Sequence, residues 1–144
     1  MSGSAFSELI QVGVVVKDME KTIERLTSLG FGPFEPKIFP PDAKQWFRGE
    51  PMDAKFKIFA TRMGPVEFEL IQPVEGKSPH REFLDRNGEG IQHLAFAVKD
   101  LAAEINQLTR KGSKVELKAN LQDADVAYVD LNIGGLVVEL IQKK

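Results

Sequence analysis

The chain contains no cysteine, a single tryptophan and only two histidines among its 144 residues. The missing thiols exclude a disulfide framework and a thiolate metal site. A large excess of either charge is lacking too: the formal net charge is −2, with lysine and arginine spread along the chain. A nucleic-acid partner would need a basic patch or stripe, so none is expected. No apolar run approaches membrane-spanning length, so no membrane partner is expected either. The opening MSGSAFSEL has neither a basic start nor an apolar stretch; no signal peptide is expected, and the expected location is cytoplasmic. What is present, 42% apolar and 28% charged residues, is the composition of a soluble globular domain.

One tetrapeptide, ELIQ, occurs three times: Glu8 to Gln11, Glu69 to Gln72 and Glu139 to Gln142. In the last copy, LVVELIQ, Glu139 is the only ionisable group in an otherwise apolar strand. Such a strand reads as buried on both faces. A lone carboxylate buried there costs several kcal/mol unless a cation or hydrogen bonds compensate it.

The copies belong to a larger duplication. Aligned on Val-Lys-Asp, LIQVGVVVKDMEKTIERLTSLG matches IQHLAFAVKDLAAEINQLTRKG, with Asp18 on Asp100 and Gly30 on Gly112, a shift of 82. Each reads as strand, turn and helix, with Asp18 and Asp100 as N-caps and Gly30 and Gly112 just past the helix ends. Met19, Ile23 and Leu26 match Leu101, Ile105 and Leu108, one buried helical face in each half. Later strands are expected near 34–39, 55–63 and 66–72, and near 114–118, 126–131 and 136–142, the last two joined at Gly134-Gly135. The final strands align Glu69 with Glu139 at a shift of 70, so the first half holds 82 − 70 = 12 extra residues. They fall in FPPDAKQWFRGEPMD, read as a structured loop. Between the halves a short helix is expected, with Ser78 as N-cap, Pro79 first and Gly88 beyond its end. The expectation is one α+β domain over 1–144: a βαβββ module at 8–73, a linker with a helix at 74–90, and a second βαβββ module at 91–144.

In this register Glu69 and Glu139 are equivalent, and so are Gln11 and His93; Glu8 aligns with Gly90. Gln11 shares a strand face with Gly13 and Val15, and His93 with Ala95 and Ala97. A wall of small side chains with a few convergent polar groups suits a ligand site. Gln11, Glu69, His93 and Glu139 supply an amide oxygen, two carboxylates and an imidazole. The two carboxylates would balance a divalent ion, and the mix suits Mn, Co, Ni, Fe or Zn better than Cu(I). Glu67 is read as lying on a solvated face, and His80 as a solvated residue of the linker helix.

The stretches VGVVVKDMEKT, VEFELIQPVEGKSPHREFL, GEGIQHLAFAVKDL and GGLVVELIQ resemble the vicinal oxygen chelate superfamily of glyoxalases, bleomycin resistance proteins and dioxygenases. They are most like its methylmalonyl-CoA epimerase branch. The resemblance covers all but the Pro-rich insert and implies an open, cupped eight-stranded sheet. It further implies a metal held by Gln11, Glu69, His93 and Glu139, with Gln11 where epimerases usually carry His and some glyoxalase I enzymes carry Gln. Gln92 neighbours this set. The chemistry implied is proton transfer next to a carbonyl: a Co, Ni, Mn or Zn ion polarises substrate oxygen. Glu139, with Glu69 second, acts as base as well as ligand. Glu50 is a further carboxylate candidate. A ring-cleaving dioxygenase, which needs two His and a carboxylate on iron, is disfavoured by the place of His80. The substrate is a small molecule such as an acyl-CoA thioester; a glyoxalase I-type lactoylglutathione lyase and a non-catalytic antibiotic-binding protein are the alternatives. A homodimer is expected. Trp46 and Arg48 in the insert would cover the ligand or simply pack.

Overall fold

The computed structural model describes residues 6–40 and 43–144. Pro41 and Asp42 of the insert, and the first five residues of the stretch read for a signal peptide, lie outside the described residues. The first half runs β1 (Leu9–Val15), α1 (Met19–Ser28), β2 (Glu35–Pro36), β3 (Lys44–Phe47), β4 (Glu50–Pro51), β5 (Lys55–Met63) and β6 (Val66–Glu75). Helix α2 (Pro79–Asn87) leads into β7 (Gly90–Ala97), α3 (Leu101–Arg110), β8 (Lys114–Asn120), β9 (Ala124–Asp130) and β10 (Val137–Lys143).

The strands form one open sheet in the order β2-β5-β6-β1-β7-β10-β9-β8-β3-β4. The α+β class and the paired βαβββ modules are as expected, but the sheet has ten strands where eight were expected. The two additional strands come from the insert. Arg48 and Gly49 both take positive φ, 51° and 83°, a two-residue turn whose twist suits a hairpin. The hairpin β3–β4 then adds to the outer edge of the second half, through β8. An arginine in the first turn position hides this hairpin, because Asn or Asp is the usual signal there.

The two halves share one register. β1 pairs parallel with β6, placing Gln11 opposite Glu67 and Gly13 opposite Glu69. β7 pairs parallel with β10, placing His93 opposite Val137 and Ala95 opposite Glu139. Adding 82 to the first member and 70 to the second converts one set into the other. Asp18 and Asp100 each accept from a backbone N–H three residues on, both at 3.1 Å. The glutamine that ends ELIQ also has a structural use. Gln72 Oε1 accepts from Met19 N at 2.8 Å, and Gln142 Oε1 accepts from Leu101 N at 2.7 Å. Each last strand thereby satisfies an amide that its own module's helix leaves unpaired.

Helices α1 and α3 cover one face of the sheet. Met19, Ile23 and Leu26 pack with Val16, Leu70 and Phe68; Leu101, Ile105 and Leu108 pack with Phe96, Leu140 and Val138. The other face is the cup. Among the described residues no helix is long and apolar enough to cross a membrane.

Candidate functional site

Gly13 stands between His93 on β7 and Glu69 on β6. A Cβ added to Gly13 would fall within the His93 ring. Its missing side chain therefore does more than widen the cup: it makes the space that His93 occupies.

The structure brings Gln11, Glu69, His93 and Glu139 together on the cup face. His93 Nε2 lies 2.8 Å from Gln11 Oε1, 3.2 Å from Glu139 Oε1 and 3.6 Å from Glu69 Oε1. Its Nδ1 lies 2.8 Å from Oε1 of the buried Gln92. Burial, with smaller contributions from His80 and Lys37, lowers the His93 pKa to about 3, so the imidazole is neutral and carries one N–H. Either nitrogen can hold that proton, Nε2 donating it to Gln11 Oε1 or Nδ1 to Gln92 Oε1, and only the second arrangement frees the Nε2 lone pair for an ion. Orientation of a ligating imidazole through its second nitrogen is the usual outer-shell device of metal sites.

Lys37, just after β2, is a site residue without a signal in the sequence. Its ammonium donates to Glu67 Oε1 and Glu69 Oε2, both at 2.8 Å. Gln11 Nε2 also donates to Glu67 at 2.7 Å and to Glu69 at 3.3 Å. Glu67 is therefore part of the cup's polar network and not a solvated residue. Burial works against the Lys37 charge, but the carboxylates outweigh it and hold the ammonium above its ordinary range. Burial likewise works against Glu67, yet the hydrogen bonds from Lys37 and Gln11 bring it below the ordinary carboxylate value. Burial pushes the Glu69 carboxyl up, with Lys37 pulling against it.

His80 corrects the reading of the linker. It is only 4% exposed, because the first turn of α2 packs into the cup. Its ring meets Phe56, Tyr128 and His93 edge-on or tilted, at centroid distances of 4.9, 5.4 and 6.4 Å. His80 Nε2 lies 3.1 Å from the Tyr128 hydroxyl, while Nδ1 has no hydrogen-bond partner. Burial holds this imidazole neutral, lowering its pKa to about 3. Tyr128 is also the cross-strand neighbour of Glu139 on β10 and works to lower that carboxyl's pKa. Burial, and then the charge of Glu69, push the Glu139 carboxyl up to about 8. The chain's single tyrosine was overlooked in the sequence, although alternation from Ala124 and Val126 puts it on the cup face.

The remaining candidates lie elsewhere. Glu50 is exposed on β4, at the edge of the sheet, and does not line the cavity; its hairpin displaced it from the first half's middle strands. Arg48 ties the hairpin down, donating to both oxygens of Glu82 on α2 at 3.0 and 2.7 Å and to Glu116 on β8 at 2.7 Å. The insert reaches the cavity through Phe39 and Gln45, and Trp46 stands opposite Lys118 and Pro51.

Among the described residues, no three His, Asp or Glu side chains are already gathered as a metal-holding group. Glu69 Oε2 is turned onto the Lys37 ammonium, and its Oε1 faces His93. The donor set nevertheless fits a divalent ion. Ligands about 2.1 Å from an ion lie about 3.0–3.4 Å from one another at octahedral to tetrahedral angles. The separations of 2.8, 3.2 and 3.6 Å around His93 Nε2 bracket that spacing.

Residues 10–128 match the profile of the Glyoxalase/Bleomycin resistance protein/Dioxygenase superfamily. The uncharacterised protein YqjC of Bacillus subtilis (strain 168) is 27% identical over 96 residues, 64% of this chain and 69% of its own. The crystal structure of methylmalonyl-CoA epimerase from Mycobacterium tuberculosis is similar, with a TM-score of 0.65 and 24% identity over 100% of this chain and 93% of that one. Streptomyces coelicolor methylmalonyl-CoA epimerase, in complex with 2-nitronate-propionyl-CoA, gives a TM-score of 0.61 and 19% identity over 94% of this chain and 96% of that one. At these identities the solved structures establish a shared fold, and the profile match establishes the family: the chain belongs to the glyoxalase/bleomycin resistance protein/dioxygenase superfamily.

Proposed function

We propose that this protein is a metal-assisted isomerase or epimerase that moves a proton on the carbon next to a carbonyl, in the manner of the methylmalonyl-CoA epimerases whose fold it shares. The observation that carries this reading is the geometry of Glu139, a buried carboxyl that lines the cavity beside Tyr128 and lies 3.2 Å from His93 Nε2. A divalent ion such as Co, Ni, Mn or Zn, held by Gln11, Glu69, His93 and Glu139, would supply polarisation of the substrate's carbonyl oxygen. As a carboxylate Glu139 would take the α-proton, the C–H electron pair passing into the substrate's carbonyl system, and return of a proton to the other face of that carbon would complete the exchange. Glu69 is the second carboxyl of the cup, and Lys37 keeps a positive charge beside it. Gln92 fixes the His93 ring. Phe56 and Ile58 add apolar surface to the cavity wall. An acyl thioester is the substrate class that the neighbours' ligand supports, and a homodimer is the expected assembly, to be checked by sedimentation.

The ligand set with Gln at position 11 favours a second reading, the same proton transfer on a glutathione hemithioacetal. Lys37 on Glu69 favours a third, a metal-free binding protein whose cup is neutralised from within. Two measurements separate them. Metal-loaded protein in D₂O should place deuterium at the α-carbon of methylmalonyl thioesters, and Glu139→Ala should abolish it; lactoylglutathione formation without deuteration would favour the lyase. Divalent metal should raise the melting temperature by mass action, and Glu139→Gln, which keeps the shape but removes one charge, should largely remove that rise. No rise in the unaltered protein would leave the binder.

A further inference from the structure

Gln11 and His93 are equivalent under the repeat, but they are different kinds of ligand. An imidazole, once its tautomer is set, offers a cation one lone pair. A primary amide is two-ended: its oxygen accepts and suits a cation, while its NH₂ only donates and repels one. Turning the amide over exchanges the two ends with almost no change of shape. A glutamine in this position therefore needs a neighbour that holds it the right way round.

The partner strands differ to match. Where β1 pairs with β6, Gln11 stands opposite Glu67; where β7 pairs with β10, His93 stands opposite Val137. The amide thus faces a carboxylate and the imidazole a hydrocarbon. Glu67 Oε1 accepts from Gln11 Nε2 at 2.7 Å, which leaves Gln11 Oε1 2.8 Å from His93 Nε2. The other contact of that NH₂, to Glu69 Oε2, is longer at 3.3 Å. Turned over, the amide would set its oxygen against two carboxylate oxygens, lone pair against lone pair. Lys37 donates to the same Glu67 Oε1 at 2.8 Å, so the acceptor is itself held in place. Were Glu69 engaged by an ion, Glu67 would still fix the amide.

We propose that Glu67 is a positioning residue: it turns the Gln11 amide so that the oxygen, and not the NH₂, faces the His93 Nε2 end of the cup, where the metal-assisted reading on which this rests requires an oxygen ligand. Outside the four ligands, Glu67 then governs whether one of them can bind.

Two variants separate its acceptor from its charge. Glu67→Leu removes both; Glu67→Gln removes the charge alone, since the Lys37 ammonium draws the new amide's oxygen onto the position shared with Gln11. Co²⁺ binding to metal-free protein is read by calorimetry. Glu67→Leu should weaken it at least about tenfold, the usual scale for losing an outer-shell partner, and Glu67→Gln by less than about threefold. In a Gln11→His background there is no amide to turn, and the two variants should agree within about threefold. Glu67→Ala serves if Glu67→Leu does not fold. Equal weakening by the two variants would show that Glu67 acts through its charge alone and overturn the proposal. So would a difference between them that survives in Gln11→His. NMR of the metal-free protein gives an independent readout. One Gln11 NH₂ proton should be shifted downfield by its hydrogen bond in the unaltered protein and in Glu67→Gln, and return towards the ordinary amide position in Glu67→Leu. Should the unaltered protein take up no Co²⁺, the metal reading falls and this signal decides the orientation: its loss in Glu67→Leu alone keeps the proposal, and no difference between the variants sinks it.

Discussion

Glu69 and Glu139 occupy equivalent places in two halves that share one strand register, yet they are accommodated by different means. The strand partner of Glu69 on β5 is Ala60, and the cation that answers its burial reaches in from Lys37. The strand partner of Glu139 on β9 is Tyr128, and burial and then the charge of Glu69 raise its carboxyl to about 8. One half keeps a paired charge; the other keeps a carboxyl able to exchange its proton near neutral pH. Duplication delivered two equal backbone positions, and the side chains arriving from neighbouring elements made one an ion pair and the other a titrating acid. The same asymmetry separates Gln11 from His93, and Gly13 from Ala95.

The sharpest way to break the comparison is at that last pair. Ala95 carries a Cβ without conflict, but a Cβ at Gly13 enters the His93 ring. Gly13→Ala should destabilise the protein by about 3 kcal/mol in urea unfolding, since the ring is fully buried and cannot swing out cheaply. Ala95→Gly should cost only about 1 kcal/mol. Gly13→Ala combined with His93→Ala should recover much of the loss, and no recovery would show that the conflict lies elsewhere.

His80 tests the second half and its linker through pH. Above an unfolded pKa of about 6.5 neither state binds a proton at His80. Below it the unfolded chain takes one up, while the folded protein waits until about 3. Stability from this residue is therefore lost as pH falls, by up to about 1.4 kcal/mol per unit, or about 2 kcal/mol between pH 7 and 5. His80→Leu should reduce the drop in unfolding free energy over that interval by this amount. Parallel pH profiles for the two proteins would mean that His80 protonates freely in the fold.

The smallest effect is the one expected to be equal in both halves. Gln72→Ala and Gln142→Ala each remove the acceptor for a helix N-terminal amide, Met19 N or Leu101 N. Each should cost about 1 kcal/mol by thermal unfolding. A clear inequality would show that one half leans more on its helix docking than the other.

Much of this was legible along the chain. Asp18, Gly30, Ser78 and Gly112 marked helix ends because capping chemistry is local, and strand alternation put Gln11, His93, Glu69 and Glu139 on one face. The hairpin was missed because Arg48-Gly49 is an unusual spelling of a two-residue turn, and its formation carried Glu50 away from the site. The role of Gln72 and Gln142 was missed because a strand end and a helix start meet only once the module closes. Glu67 was misjudged because its exposure depended on whether something covered it, and Lys37 and Gln11 do.

The sequence by itself determined the duplicated modules, their shared register and the four polar positions of the cup, because periodicity and repetition are written in neighbouring residues. The tertiary structure alone decided the electrostatics of those positions. Lys37 reaches Glu69 across 32 residues, and His80 reaches Tyr128 across 48. In the dry interior, where an unpaired charge is costly, such long-range neighbours set whether a buried group is ionised or neutral.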